Sequence, residues 1–476
     1  MLSLLASLAL AQDNPDPTAD PAVVEEPAAP PARSLALVDV RVVDGVSGVR
    51  EGVSVLVVDG RIADITAEAP LAETVLELSG ATVIPGLIDS HTHVTLAPGE
   101  FLEGVETTDA QRKAQLAAYV AAGVTTVVDA AAYEDDLARV HGWLEQGAAG
   151  PTVLALGLPP ALPDSYGPAV LPELDVHPTP EEAAAHVAEQ AKRDVVGLKL
   201  LMEDGPATPI WPIPEGAWLA AVAAAAADND LPIWSHAMSS EEYAGALDAG
   251  AAVILHGLEA PDDEIAERVA ASGVYVVPTL HIGTANDLVY APELVDDALM
   301  QALVPAEQLD RAVDPELQRQ AALAVADMSV PGLPGFLKRW LVKRTLKSDG
   351  FVTKLQTARV EAAGQLYEAG VPIVMGSDSP GWPLLLGLFH GYGSVRELEL
   401  LAEAGLPPDE VLVAATSRPA EMLGMEGELG VVAVGAVADL VVLEGDPLAS
   451  VEAYRSVQYV VKGGVAKTPA DWLATY

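Results

Sequence analysis

Eight short apolar runs, separated mostly by Ala- and Glu-rich stretches of helical character, limit the possible folds of this chain more than any other feature. They fall at 87–91, 125–129, 152–156, 197–202, 232–236, 252–256, 274–280 and 372–378. Near-continuous apolar runs between amphipathic helices belong to a parallel sheet covered on both faces. Eight of them fit a closed (β/α)8 TIM barrel, an α/β architecture; an open doubly wound sheet is the competitor. The connection over 281–370 is too long for one crossover and predicts a helical insertion. At both ends the style changes to β-branched strands, 35–43 and 53–58 before the barrel, 438–443 and 457–461 after it. Such ends predict a small β-sandwich domain built from 34–85 and 426–476, with the barrel spanning 86–425.

A barrel carries its chemistry at the C-terminal ends of its strands, and the polar residues fall there. Leu87-Ile88-Asp89-Ser90-His91-Thr92-His93 leads an apolar strand into two histidines one residue apart. Both imidazoles leave the same side of an extended backbone and can grip one divalent metal. Two surface histidines on a strand edge would look the same, so the downstream runs decide. Run four carries Lys199, run five ends in His236, run six in His256 and run eight in Asp378. Singly, a strand-end histidine is more often a hydrogen-bonded core residue than a ligand. Together, at equivalent positions, they point to a shared metal site. An isolated ammonium such as Lys199 in an apolar strand must neutralise, pair or react. With a lowered pKa its amine can take up carbon dioxide and become N6-carboxylated, an anion able to bridge two cations. The alternative is an ion pair with Asp378 or another carboxylate. His281, after run seven, faces the same rim and is a candidate for contact with substrate or a tetrahedral intermediate; otherwise it is a loop histidine. His390, after run eight, is a further candidate, whereas His141, His177 and His186 read as surface residues.

Composition narrows the remaining choices. A formal charge of −44 repels nucleic acid and acidic membranes. The absence of cysteine leaves His, carboxylates and modified Lys as the only metal ligands. No apolar run is long enough to span a membrane. Residues 1–11 end in Ala9-Leu10-Ala11, the small-x-small pattern of a secretory signal, and 12–33 read as a disordered acidic Pro/Ala tether. Export to the periplasm or the exterior is therefore expected. Lys338, Arg339, Lys343, Arg344 and Lys347 form a basic patch in the insertion, read as a solvated face or as a lid that attracts a carboxylate-bearing substrate.

Five motifs then combine. Val83-Ile84-Pro85-Gly86-Leu87-Ile88-Asp89-Ser90-His91-Thr92-His93, Ala122-Gly123-Val124-Thr125-Thr126-Val127 and Met375-Gly376-Ser377-Asp378 are followed by Ala415-Thr416-Ser417-Arg418-Pro419-Ala420 and Gly435-Ala436-Val437-Ala438-Asp439-Leu440-Val441-Val442-Leu443. From about Ser34 onward the chain resembles the amidohydrolase superfamily of metal-dependent hydrolases, in the branch similar to imidazolonepropionase-like and prolidase-like enzymes. The resemblance implies two divalent ions, zinc foremost with manganese and iron open. His91, His93 and Asp378 would hold the more buried ion, His236 and His256 the second, with carboxylated Lys199 between them. It also implies Asp378 as general base and acid for cleavage of a C–N bond in a small molecule, a dipeptide or N-acyl amino acid. A homo-oligomer is compatible with this reading. Lactones and phosphoesters remain open as substrates, as do a one-metal deaminase and a non-catalytic ligand-binding relative. Deaminase-like members follow the run-five histidine with His-x-x-Glu, whereas here Ser239 occupies the glutamate's place.

Overall fold

The structure, a computed structural model, describes residues 33–474 except 172, 206–209, 331, 346–349 and 382–383. The signal and nearly all of the tether, 1–32, lie outside the described residues, as does Lys347.

The chain begins with β1 (Ser34–Asp44), β2 (Gly48–Val58), β3 (Arg61–Thr66), β4 (Thr74–Glu77) and β5 (Thr82–Pro85). The barrel strands follow: β6 (Leu87–Thr92), β7 (Val124–Asp129), β8 (Thr152–Gly157), β9 (Gly197–Leu201), β10 (Ile233–His236), β11 (Val253–Leu255) and β12 (Tyr275–Val277). The chain returns to the first sheet with β13 (Leu440–Leu443), β14 (Val457–Lys462) and β15 (Val465–Lys467). The expected sandwich is one hydrogen-bonded sheet of eight strands, ordered β15-β14-β13-β5-β1-β2-β3, with β4 also on β1. A single sheet suffices because β1 is long: its first half pairs with β4 and its second with β5. Alternation along the strands divides its two faces. Val83, Leu440, Val442 and Val461 bury into the sheet's own core, while Ile84, Val441, Leu443 and Val460 pack onto the barrel's core.

Strands β6 to β12 form seven parallel neighbours in sequence order. The eighth run is not a regular strand, yet it fills the gap between β12 and β6. Val276 N donates to Pro372 O and Val374 N to Val276 O; on the other side Ser90 N donates to Met375 O and Asp378 N to His91 O. The barrel is therefore nearly closed, by an extended segment rather than a ladder. Gly376 is what lets the segment in: a Cβ there would meet Val277 Cγ1 and lie 2.9 Å from the His91 nitrogen. Helices cover the outside, several opened by capping boxes (Thr108–Gln111, Thr179–Glu182, Ser239–Glu242) that satisfy the first free N–H groups. After β12 the chain runs through several helices, including Pro315–Ser329, Gly335–Thr345 and Gly350–Glu368.

Candidate metal centre

Side-chain parity along the barrel strands decides which groups reach the interior. Leu198 and Leu200 face the helices, so Lys199 between them faces inward. Trp234 packs in the barrel interior, and His236, two residues on, follows it. His256 breaks this rule. Alternation would send it outward with Ile254, but its left-handed backbone (φ 75°) ends the strand and redirects it. Asp378 (φ 53°) and Thr279 (φ 46°) share this conformation. For a β-branched residue such as Thr279 it is a genuine outlier, of the kind that clusters at functional sites. Asp89, fully buried, fastens the closing segment to β6: its carboxylate accepts from Ser377 N (2.9 Å) and Ser394 Oγ (2.6 Å).

These elements bring six predicted residues around one cavity of about 310 Å³, lined by His91, His93, Lys199, His236, His256 and Asp378 together with apolar side chains. Asp378 Oδ1 lies 3.3 Å from His91 Nε2 and 3.1 Å from His93 Nε2, and its Oδ2 lies 4.0 Å from His256 Nδ1. The His91 and His256 rings are 4.8 Å apart between centroids, those of His236 and His256 4.3 Å. Both ring nitrogens of His91 and Oδ1 of Asp378 are buried without a hydrogen-bond partner. Buried polar atoms are rarely left so, and a cation is the group this donor set fits. Burial, reinforced by the nearby Lys199 ammonium and the other imidazoles, drives the His91 pKa far down; burial and the same neighbours do so for His256. Both rings are therefore neutral, the form that ligates. His236 donates Nε2–H to Glu203 Oε2 (3.0 Å), leaving Nδ1 as its lone-pair nitrogen. His256 Nδ1 is hydrogen-bonded to Thr279 Oγ1 (2.8 Å), leaving Nε2. Such outward hydrogen bonds orient ligating imidazoles.

Lys199 is 3% exposed, and no carboxylate among the described residues lies within ion-pair distance of its amine. Burial lowers its pKa to about 8 against the pull of Asp378 and Asp129. The contact ion pair weighed as the alternative is thus not formed among the described residues, and burial favours the neutral amine.

His281 is not brought to the cavity with them. Its ring, 1% exposed, bonds through Nδ1 to Thr284 Oγ1 and abuts Gly393, where a Cβ would stand 2.8 Å from Nε2. The one-turn helix Leu280–Thr284, held by Glu397 accepting from the Leu280 and His281 N–H groups, turns the ring into the protein rather than the rim. His390 packs edge-on against Tyr119 beneath the His93 carbonyl. His141 and His186 are half-buried on the Val153 and Leu158 carbonyls, and His177 is half-buried against His186, so none of the three is a plain surface residue. Helix Gly335–Thr345 contributes nothing to the cavity lining; Lys338 there is bonded to Asp327 and Arg344 lies over Trp340.

Sequence reasoning missed Glu203, Tyr166 and Trp211, all lining the cavity. Glu203 was legible: it shares the parity of Lys199 and Leu201. Burial pushes its carboxyl upward, but hydrogen bonds from His236 and Gly205 N–H outweigh this and hold it below its ordinary value, so it is an anion. Tyr166, at the start of the short helix Tyr166–Val170, stacks near His236 (5.2 Å, 31°) and near Trp211 of the connection after β9 (5.2 Å, 57°). Glu203 also groups with Asp204 and Glu242, but Glu242 is spent on the Met238, Ser239 and Asp204 N–H groups.

Comparison with known proteins agrees with this geometry. A crystal structure of an uncharacterized protein superposes with a TM-score of 0.68 at 25% identity, covering 91% of this chain and 99% of that one. A crystal structure of a prolidase complexed with N-methylphosphonate-L-proline gives 0.66 at 24% identity with the same coverage, a likeness of fold. Imidazolonepropionase of Mycolicibacterium smegmatis is 47% identical over 55 residues, 11% of this chain and 14% of that protein. The matches span at most 56% of the curated relatives' own length. The sequence pattern of the amidohydrolase family matches residues 82–467, a stretch that holds every inward-facing histidine, Lys199 and Asp378. With the nearly closed parallel barrel and its strand-end histidines already in place, that match makes this chain a member of the amidohydrolase family.

Proposed function

We propose that this protein is a two-metal hydrolase that cleaves a C–N bond of the amide type in a small molecule. The observation that carries the reading is the buried, unpartnered pairing of Asp378 Oδ1 with neutral imidazoles beside an unpaired Lys199. His91, His93 and Asp378 would hold one ion, His236 and His256 the other, and N6-carboxylated Lys199 both. Zinc suits this nitrogen and oxygen set. Ions bound there supply Lewis acidity and make water acidic enough to attack near neutral pH. Asp378 takes the attacking proton at Oδ2 and delivers it to the leaving nitrogen. Glu203 and Thr279 keep His236 and His256 in one orientation, and Tyr166, Leu201 and Met238 exclude bulk water. The test is to strip the protein with a chelator, restore it with zinc and assay amide hydrolysis by amine release. Activity that ignores chelation and zinc rules the reading out.

One observation favours a second reading. Ser239 caps a helix, but Glu203 places a carboxylate on His236 after all, so a one-metal deaminase is the competitor. Release of ammonia with about one ion per chain identifies it.

A further inference from the structure

The cavity around the candidate centre has a marked charge asymmetry. Among the described residues that line it, Lys199 is the only lysine or arginine, and it sits with the ligands. Beyond them the described wall is apolar and aromatic (Leu171, Leu201, Met238, Tyr166, Trp211), and Glu203 is the one charged group among its described residues. Both Glu203 oxygens already accept one hydrogen bond, from Gly205 N–H and from His236. A carboxylate has about four acceptor sites, so room remains for a substrate N–H. Arg359 of helix Gly350–Glu368 is not part of the lining; its guanidinium is 3.7 Å from Glu259, and its positive charge favours the ionised form of Glu203. The basic helix Gly335–Thr345 is absent from the lining too. A substrate carboxylate brought beside Glu203 would lie against a fixed anion, with no lysine or arginine other than Lys199 among the described lining residues to receive it. Like charges brought together in a desolvated site discriminate strongly.

We propose that the substrate carries no carboxylate on the portion that lies beyond the scissile bond against Glu203. It is a neutral or cationic amide or urea-type compound, with a flat apolar group held by Tyr166 and Trp211 and an N–H or amino group turned to Glu203. This displaces free dipeptides and N-acyl amino acids as the substrate class, and Glu203 is the specificity-determining residue. The assignment rests on the metal-hydrolase reading above, because that reading makes the Lys199 end the reacting end.

Matched pairs test it on the zinc-loaded full chain: 4-acetamidobenzoate against 4-acetamidoacetophenone, and an N-acyl amino acid against its N-methylamide. The uncharged member of each pair is expected to have at least about tenfold higher kcat/KM. Glu203→Gln should shrink that ratio to below about threefold. A purely structural role for Glu203 in holding His236 would lower both members equally and leave the ratio unchanged, which overturns its assignment. Equal rates, or a preference for the acid, overturn the substrate class; an acid preference lost in Arg359→Ala would name Arg359 as the reader instead. If neither member is hydrolysed, the hydrolase reading fails on its own. Calorimetric binding of the same pairs then decides the inference: tighter binding of the uncharged member by about tenfold supports it, and equal or tighter binding of the acid sinks it.

Discussion

The reacting end of the cavity and its outer wall are built by different means. The reacting end stands on strand ends and on the closing segment, each group fixed by backbone hydrogen bonds and by Asp89 beneath. The outer wall is assembled from connections: Tyr166 from the short helix after β8, Trp211 from the connection after β9, Val325 and Ser329 from the insertion. On the proposed function, chemistry would sit on the rigid part and selection on the part free to vary, the division expected of a barrel enzyme.

Substitutions at the two ends should therefore fail differently. Asp378→Asn, which keeps shape but removes the proton acceptor, should lower kcat at least about a hundredfold with little change in Tm. Near-normal turnover would dismiss the role. Lys199→Ala should reduce bound metal from about two ions to about one per chain, with partial rescue by small carboxylic acids; unchanged metal content measured by elemental analysis would break the bridging assignment. On the wall, Trp211→Ala should raise KM about tenfold while metal content and kcat hold, as expected for loss of one buried aromatic contact. A matching fall in kcat would mean that the two ends are not separable.

A different effect, on stability rather than turnover, belongs to Glu397, which holds the one-turn helix Leu280–Thr284. Burial raises the Glu397 pKa from 4.5 to about 8, although the Leu280 and His281 N–H groups favour its charge. A carboxyl whose folded pKa is raised contributes stability below its unfolded pKa, and this is lost as pH rises through the folded value. Stability should decline between about pH 4.5 and 8 from this group, and Glu397→Gln should flatten that part of a Tm-against-pH curve. An unchanged slope would place the titration elsewhere.

The same division explains what could be read from sequence. Seven of the eight apolar runs are strands of the barrel within a few residues, because a run apolar on both faces has few other uses. The eighth was placed correctly in space but lacks a ladder: Gly376 packs close against His91 of β6, and the left-handed Asp378 turns the chain there. Lys199 and His236 follow strand parity, whereas His256 reaches the site only through a backbone turn that no periodicity announces. Glu203 was overlooked although it lies four residues after Lys199 on the same side. Tyr166 and Trp211 could not be found, because the placement of a five-residue helix and of a connection after a strand depends on tertiary packing. His281 looked like a rim residue for the same reason: the one-turn helix that hides it follows the strand immediately.

Anomalous diffraction at the zinc edge from crystals of the zinc-loaded protein reads the central claim most directly. Two peaks are expected, one among His91, His93 and Asp378 and one beside His236 and His256, with density continuous from the Lys199 amine to both. A lone peak, or peaks among Glu203, Asp204 and Glu242 instead, would contradict it.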